Sequence, residues 1–153
     1  MRVSLKATYG IMAALDMALR EPRDIPVQSK AIARRQGIPV RFLEQVLHTM
    51  KQAGLVESVR GAQGGYVLQR KPAEITLAEM LNALDGTLGS SREAAGNGDG
   101  HRSVRTSKAD DLLGDVWDRV RQAEVAVLSA VSLQDLVDRY HKLEQKRALM
   151  YHI

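Results

Sequence analysis

The chain has 153 residues, enough for one folded domain with an appendage, and it contains no cysteine. This excludes disulfides, thiolate nucleophiles, zinc–thiolate sites and all-cysteine iron–sulfur ligation. The sequence has no run of about 18 apolar residues and begins without the apolar stretch of a signal peptide, so we expect a soluble cytoplasmic protein.

The formal net charge of +4 is distributed unevenly along the chain. Residues 1–72 hold 12 Lys and Arg against 5 Asp and Glu, whereas residues 73–153 hold 10 against 13. A basic half joined to an acidic half is typical of a polyanion-binding module fused to a second unit. A chance imbalance of charges on solvated surfaces would give similar counts of Lys, Arg, Asp and Glu. The order of the structural elements is therefore needed to tell a polyanion-binding module from such an imbalance.

The first half of the chain predicts three helices followed by a hairpin. Apolar periodicity, prolines and glycines place the helices over about 4–20, 28–36 and 39–53. Two short β-type runs, 55–59 and 66–68, are separated by a glycine-rich turn, which is the pattern of a β-hairpin. Helix, turn with Gly37, helix and hairpin is the order of a winged helix-turn-helix.

The second half predicts three further helices and a long loop. Thr76 to Glu79 has the pattern of a capping box and opens a helix to about Leu84. Residues 85–108 have the composition of a loop; a long helix covers 109–131 and a last one ends near 146. The predicted fold is mainly α with a small β-wing. It divides into a DNA-binding domain (1–84), a flexible loop (85–108) and a C-terminal helical region (109–153).

The third helix has two distinct faces. Its apolar residues are Phe42, Leu43, Val46, Leu47 and Met50, and its polar face carries Arg41, Glu44, Gln45 and His48. In a major groove, Arg reads guanine, Gln reads adenine and Glu accepts a hydrogen bond from cytosine. A solvated amphipathic helix has the same pattern, but the basic half and the wing favour base reading.

The turn of the hairpin is a second candidate for DNA contact. Arg60 stands beside a turn that contains Gly61, Gly64 and Gly65 and no acidic residue. Glycines let backbone amides approach phosphates, and an arginine can enter a narrow minor groove. A nucleotide-phosphate loop is the rival interpretation, but the turn lacks the required glycine spacing and leads into a strand rather than a helix.

Three segments together resemble the Rrf2 family of bacterial winged-helix regulators, and most closely its CymR-like members. They are residues 1–10, residues 35–45 with Leu-Glu-Gln, and residues 53–68 with Arg-Gly-x-x-Gly-Gly-Tyr. The resemblance implies a homodimer whose long helices cross and hold two DNA-binding halves on a palindromic operator, which makes 109–153 the dimerisation region. It also implies that Glu44 and Gln45 read bases, that Arg60 is the wing arginine, and that Ser4, Lys6 and Tyr9 lie near the DNA backbone.

The sequence departs from the family pattern at two places. Arg41 stands where cluster-binding members often have serine, so the operator sequence is expected to differ. Those members also carry three cysteines between the fourth and the long helix, where this chain offers only His101. One histidine cannot hold an iron–sulfur cluster, so we expect no cofactor. The resemblance then favours a cluster-free repressor linked to cysteine metabolism.

The C-terminal residues Tyr151, His152 and Ile153 also resemble the end of CymR-type members. Cysteine synthase captures a C-terminal isoleucine of serine acetyltransferase, so this tail is a candidate docking peptide for that enzyme. A tail that packs on the dimer or stays disordered is the simpler alternative.

Two other functions are compatible with the sequence. A winged helix can bind a protein rather than DNA, and a small-molecule effector can occupy a pocket between the fourth helix, the loop and the long helix near Trp117. An enzyme is not expected, because the sequence offers no nucleophile–base pair and no metal-ligand spacing. The acids Asp110, Asp111, Asp115 and Asp118 lie in the early turns of the long helix, where they match its dipole.

Overall fold

Six α-helices and one two-stranded sheet make up the computed structural model, which describes residues 2–20, 22–86, 88 and 108–152. A short 3-10 turn, Pro72–Glu74, joins the sheet to the fourth helix. The helices are α1 (Leu5–Ala18), α2 (Ser29–Gln36), α3 (Val40–Gln52), α4 (Leu77–Asp85), α5 (Lys108–Ser129) and α6 (Leu133–Met150), and the strands are β1 (Val56–Val59) and β2 (Gly65–Leu68). None of the described helices has the length and apolar character that a membrane crossing requires.

Side-chain caps fix where several helices begin. Ser4 accepts a hydrogen bond from the Ala7 N–H at 3.0 Å and opens α1. At α6 a capping pair is complete, because Asp135 accepts the Ser132 N–H at 2.7 Å and donates its own N–H to the Ser132 hydroxyl at 3.2 Å. The prediction for α4 was only half right. Thr76 accepts the Glu79 N–H at 3.2 Å, but the Glu79 carboxylate pairs with Arg70 instead of reaching back.

A glycine turn sets the angle between α2 and α3. Gly37 ends α2 in the left-handed region, with φ +66°, where a side chain is strained. The next N–H, of Ile38, donates to the Ala33 carbonyl at 2.9 Å and closes the turn. Helix α3 starts at Val40, one residue after the predicted Pro39.

The wing has a third, unpredicted backbone partner. β1 and β2 pair antiparallel from Val56 opposite Leu68 to Val59 opposite Gly65. The segment before α2 joins them, because Val27 donates its N–H to the Tyr66 carbonyl at 2.9 Å and accepts the Tyr66 N–H at 2.8 Å. The wing is therefore bonded directly to the start of the helix-turn-helix.

The core lies between α1, α3 and α4 and includes the first turns of α6. Helix α1 runs close to α4, since a Cβ placed on Gly10 would lie 2.3 Å from the Leu84 Cδ1. Leu133 and Val137 of α6 are buried in this same core. The region predicted as a separate dimerisation unit thus supplies two residues to the core of residues 1–84.

A backbone bridge, which we call the Thr76–Ser132 bridge, holds the start of α6 in place. The Leu77 N–H donates to the Val131 carbonyl at 2.9 Å, and the Leu133 N–H donates to the Ile75 carbonyl at 2.8 Å. Helix α6 also continues to Met150 rather than ending near 146, because helix-forming residues follow Lys146 without a glycine or proline. Most of the predicted loop 85–108, with His101, lies outside the described residues.

Candidate nucleic-acid interface

The polar face of α3 is open to solvent along its whole length. Arg41, Glu44, Gln45 and His48 are all exposed. The opposite side is buried through Leu43, Val46, Leu47 and Met50. The predicted division of this helix into two faces is confirmed. The four polar side chains follow helical spacing and form one continuous strip that a groove of DNA can accept.

Tyr9 braces α3 from the side of α1. Its ring meets the ring of Phe42 edge to face, with centroids 5.5 Å apart and planes at 83°. Both side chains are half-buried against the core. Tyr9 therefore has a packing role that the sequence did not reveal, in addition to the predicted place near the DNA backbone.

Ser4 is engaged within the protein. Its hydroxyl donates to Asp85, and its N–H donates to the second Asp85 oxygen at 3.2 Å. A serine has one hydroxyl hydrogen, so in this structure Ser4 has neither donor left for a phosphate. The place of Ser4 near the DNA backbone stays a prediction, as does that of Lys6, which is half-buried in the first turn of α1. No local signal could have found Asp85, which is 81 residues from Ser4 along the chain.

Only part of the glycine-rich turn is available to a ligand. Arg60 and Gly61 are exposed, but Gly64 is buried and its N–H donates to the Gly61 carbonyl at 3.0 Å. A Cβ on Gly64 would lie 2.2 Å from the Val59 carbonyl oxygen, and one on Gly65 would lie 2.4 Å from that of Val27. Contact of this turn with phosphate stays a prediction, although the Gly64 N–H is used by an internal hydrogen bond. Both glycines are needed for close backbone packing.

One side-chain bond joins the wing to α3. The Lys51 ammonium at the end of α3 donates to the Ser58 hydroxyl on β1 at 2.6 Å. With the Val27–Tyr66 pairing on the other side, the wing is held to both helices of the helix-turn-helix. The sequence pattern did not indicate Lys51 for this role.

An ion pair with one buried partner, Asp16, joins α2 to α1. Asp16, which is 6% exposed, accepts hydrogen bonds from Arg35 Nε at 2.9 Å, Arg35 Nη2 at 2.5 Å and Gln36 Nε2 at 3.0 Å. Burial alone would raise the pKa of Asp16, but these bonds and the charges of Arg35 and Arg20 together hold that pKa below its usual value. The bond to Asp16 also raises the pKa of Arg35. Both groups therefore stay charged at neutral pH.

The predicted docking tail is partly described. Tyr151 is 87% exposed and follows α6 directly, and His152 is also exposed. Ile153 lies outside the described residues. The tail is thus free of the core through His152.

An exposed polar helix behind a glycine turn, with a hairpin that carries Arg60 bonded to it, defines a winged helix-turn-helix DNA-binding protein. Comparison with known families agrees. Residues 3–139 match the Rrf2 family, described as an iron-dependent transcriptional regulator, and the chain belongs to that family.

Relatives of this chain are transcriptional regulators rather than enzymes. It is 35% identical over 146 residues to the regulator IscR of Photorhabdus laumondii, a match that covers 94% of this chain and 84% of the relative. It is 30% identical over 152 residues to the regulator CymR of Bacillus subtilis, and this match covers 99% of both.

Solved structures show the same fold. CymR, described as the global cysteine regulator of B. subtilis, has a TM-score of 0.74 at 28% identity, with 91% of this chain and 98% of that chain covered. IscR of T. potens has a TM-score of 0.69 at 33% identity, with 92% and 88% covered. The expected resemblance to the Rrf2 family is confirmed.

The family description mentions iron, but the side chains of this chain do not provide the ligands that an iron–sulfur cluster needs. The chain has no cysteine to supply thiolate ligands. Within the ranges that the structure describes, no three His, Asp or Glu side chains come together as a metal site. No step of the function is therefore assigned to a cluster.

Proposed function

We propose that this protein is a cytoplasmic, homodimeric repressor that binds a palindromic DNA operator and works without an iron–sulfur cluster. The observation that carries the proposal is the strip of exposed polar side chains on α3, with the wing bonded beside it. Because Lys51 and Val27 hold the wing to α3 and to the start of α2, the two surfaces meet DNA as one unit.

Each part of this surface has its own role on DNA. Gln45 and Glu44 read base edges near the middle of α3, flanked by Arg41 and His48. Arg60 reaches the adjacent minor groove from the tip of the wing. Lys6 supplies a phosphate contact that is independent of sequence.

The long helix α5 supports the dimer. It presents an apolar stripe to solvent, in which Leu112 is 72% and Trp117 is 56% exposed. The other exposed members at helical spacing are Leu113, Val116, Val120 and Val127. A stripe of this length is unfavourable in water and is covered when two copies pair. Trp117 is then an anchor between subunits. A two-fold dimer presents two α3 helices about 34–36 Å apart, one turn of DNA.

The regulated genes belong, in this proposal, to cysteine metabolism. The support is the match to CymR of B. subtilis over 99% of both chains. The free tail, Tyr151 and His152 with Ile153 after them, is the part that would dock on cysteine synthase and report its state to the repressor.

Selection from a random duplex library tests the DNA-binding function. Affinity of the purified full chain for the selected duplex and a scrambled one is then measured by fluorescence anisotropy at several salt concentrations. We expect a palindromic consensus, at least about 10³-fold preference for it, and a strong loss of affinity with salt. Equal, salt-insensitive retention of both duplexes would instead favour a protein-interaction module.

Deletion of Ile153 tests the tail. Binding of the full chain and the deletion variant to immobilised cysteine synthase is compared, with Lys142→Gln on α6 as a control. We expect the deletion alone to abolish binding. Unchanged binding would contradict the docking role without affecting the DNA-binding function.

A further inference from the structure

A cavity of about 610 Å³ opens between α1, the end of α2 and the middle of α6, on residues that the DNA-binding role does not use. Arg20, Arg35 and Gln36 line one side, and Tyr140 and His141 line the other. The cavity lies where the helix-turn-helix meets the C-terminal helix. A ligand here would contact both halves of the chain.

The charges around the cavity favour an anion. Asp16 is its one acidic lining residue, and it faces two guanidinium groups, those of Arg35 at 2.5 Å and Arg20 at 3.7 Å. The lining therefore carries one excess positive charge before any contribution from His141. Since Asp16 already accepts three hydrogen bonds from Arg35 and Gln36, it is a poor partner for a ligand ammonium.

The two arginines have donors to spare. A guanidinium has five N–H groups, and Arg35 uses two of its nitrogens on Asp16. Within the described part of the chain, neither Arg35 nor Arg20 has another acidic partner. Asp16 thus holds the Arg35 fork rigid and leaves further donors, and such an arginine is suited to bind a carboxylate.

The remaining wall sets the shape of the ligand. Leu15 and Leu19 are half-buried and lie one turn apart on the α1 side of the cavity. The Tyr140 hydroxyl and the His141 ring add hydrogen-bonding groups from α6. The apolar side chains lie beside arginine N–H groups that have no partner in Asp16. This combination suits an anion that carries an aliphatic part.

We propose that this cavity binds a small carboxylate with an aliphatic chain, and that the bound ligand acts as an effector of DNA binding. The regulatory half of this inference rests on the proposed function, whereas the binding site does not. The ligand connects α2, the first helix of the helix-turn-helix, to α6, so that occupancy changes how firmly α2 is held relative to the rest of the molecule.

Binding is tested on the full chain without DNA, by calorimetry and by NMR of the isotope-labelled protein. The probes are butyrate, hexanoate, neutral butyramide and inorganic phosphate. We expect saturable binding of the carboxylates, tighter for hexanoate, with shifts centred on Arg20, Tyr140 and His141. No saturable binding of the carboxylates, equal binding of butyramide, or tighter binding of phosphate would overturn the proposal.

Arg20→Gln is the informative variant, because it removes the excess charge and leaves the Asp16–Arg35 pair in place. Its affinity for hexanoate should fall by at least about tenfold, the loss of one charge-assisted hydrogen bond. Lys142→Gln is the matched control, since Lys142 is exposed on α6 and does not line the cavity. Equal losses in the two variants would overturn the site.

The effector role is measured separately, as the affinity for the selected duplex with and without saturating hexanoate. A change in wild type that is absent in Arg20→Gln supports the proposal. Ligand binding that leaves the DNA affinity of wild type unchanged overturns the effector role. If the protein binds carboxylate but no DNA, the proposed function fails while the site stands.

Discussion

The ring of Tyr9 in α1 packs edge to face on the ring of Phe42 in α3, with centroids 5.5 Å apart. Phe42 immediately follows Arg41, the first residue of the polar strip on α3. The contact therefore ties the position of α3 to Tyr9, for which the sequence predicts a place near the DNA backbone. The packing role of Tyr9 is observed, and DNA contact by the same side chain stays a prediction.

Two substitutions separate these functions of Tyr9. Tyr9→Phe keeps the ring, so its free energy of unfolding should stay within about 0.5 kcal/mol of wild type, while affinity for all duplexes falls with the lost hydroxyl. Tyr9→Ala should lower the free energy of unfolding by at least about 1 kcal/mol. Urea unfolding and anisotropy check both. Wild-type DNA binding by Tyr9→Phe would leave Tyr9 with the packing role alone.

Gln45→Ala should reduce the affinity for the selected duplex by about 1–3 kcal/mol and barely change the affinity for scrambled DNA. Lys6→Ala is the contrasting variant, which should weaken both and lower the salt slope by about 1. Anisotropy over a range of salt concentrations measures these effects. An equal loss on both duplexes for Gln45→Ala would argue against base reading.

Two substitutions in the wing distinguish its role in folding from its proposed role in DNA binding. Gly64→Ala places a Cβ 2.2 Å from a backbone oxygen and should lower the free energy of unfolding by about 1–3 kcal/mol. Arg60→Ala touches an exposed side chain, so it should change stability by less than about 0.5 kcal/mol and still weaken DNA binding. Thermal unfolding and anisotropy distinguish the two variants. A stable Gly64→Ala protein would show that the turn can relax.

The Asp16–Arg35 pair predicts a dependence of stability on pH. The folded pKa of Asp16 lies below 3.8, so its contribution is complete above that pH and is lost as the pH falls through the folded pKa. Asp16→Asn should lower the free energy of unfolding by about 1.5–3 kcal/mol at pH 7 and by less at pH 3. Asp24→Asn, at an exposed site, is the control. Urea midpoints at both pH values measure the difference, and a pH-independent loss would contradict the assignment.

The apolar stripe of α5 predicts the oligomeric state. Val116→Glu should convert the dimer to a monomer by light scattering and abolish cooperative binding to the palindrome, because it puts a charge into the paired surface. Gln122→Glu adds the same charge at an exposed polar position of the same helix and should leave the dimer intact. A Val116→Glu protein that stays dimeric would place the interface elsewhere.

Local chemistry explains why the first three helices could be predicted within about two residues. Ser4, Gly37 and the prolines near 22–39 act on their immediate neighbours, so their effect is visible in the sequence. The two faces of α3 follow from periodicity in the same way. The base-reading and backbone roles of individual side chains stay predictions.

What the sequence could not show are contacts between distant residues. Ser4 with Asp85, Val27 with Tyr66, and Leu77 with Val131 each join segments far apart in the chain. None leaves a periodic or compositional signal, because each depends on how the helices pack. For the same reason the sequence did not show that Gly64 and Gly65 lie against the backbone of Val59 and Val27, where a Cβ would clash.

The Thr76–Ser132 bridge has a consequence for how such a protein can diversify. The Leu77 N–H meets the Val131 carbonyl at 2.9 Å and the Leu133 N–H meets the Ile75 carbonyl at 2.8 Å, so the bridge joins the two ends of the segment 77–131. Because the bridge itself fixes where α6 begins, we expect insertions or deletions within residues 87–107 to leave α6 and the core of residues 1–84 in register.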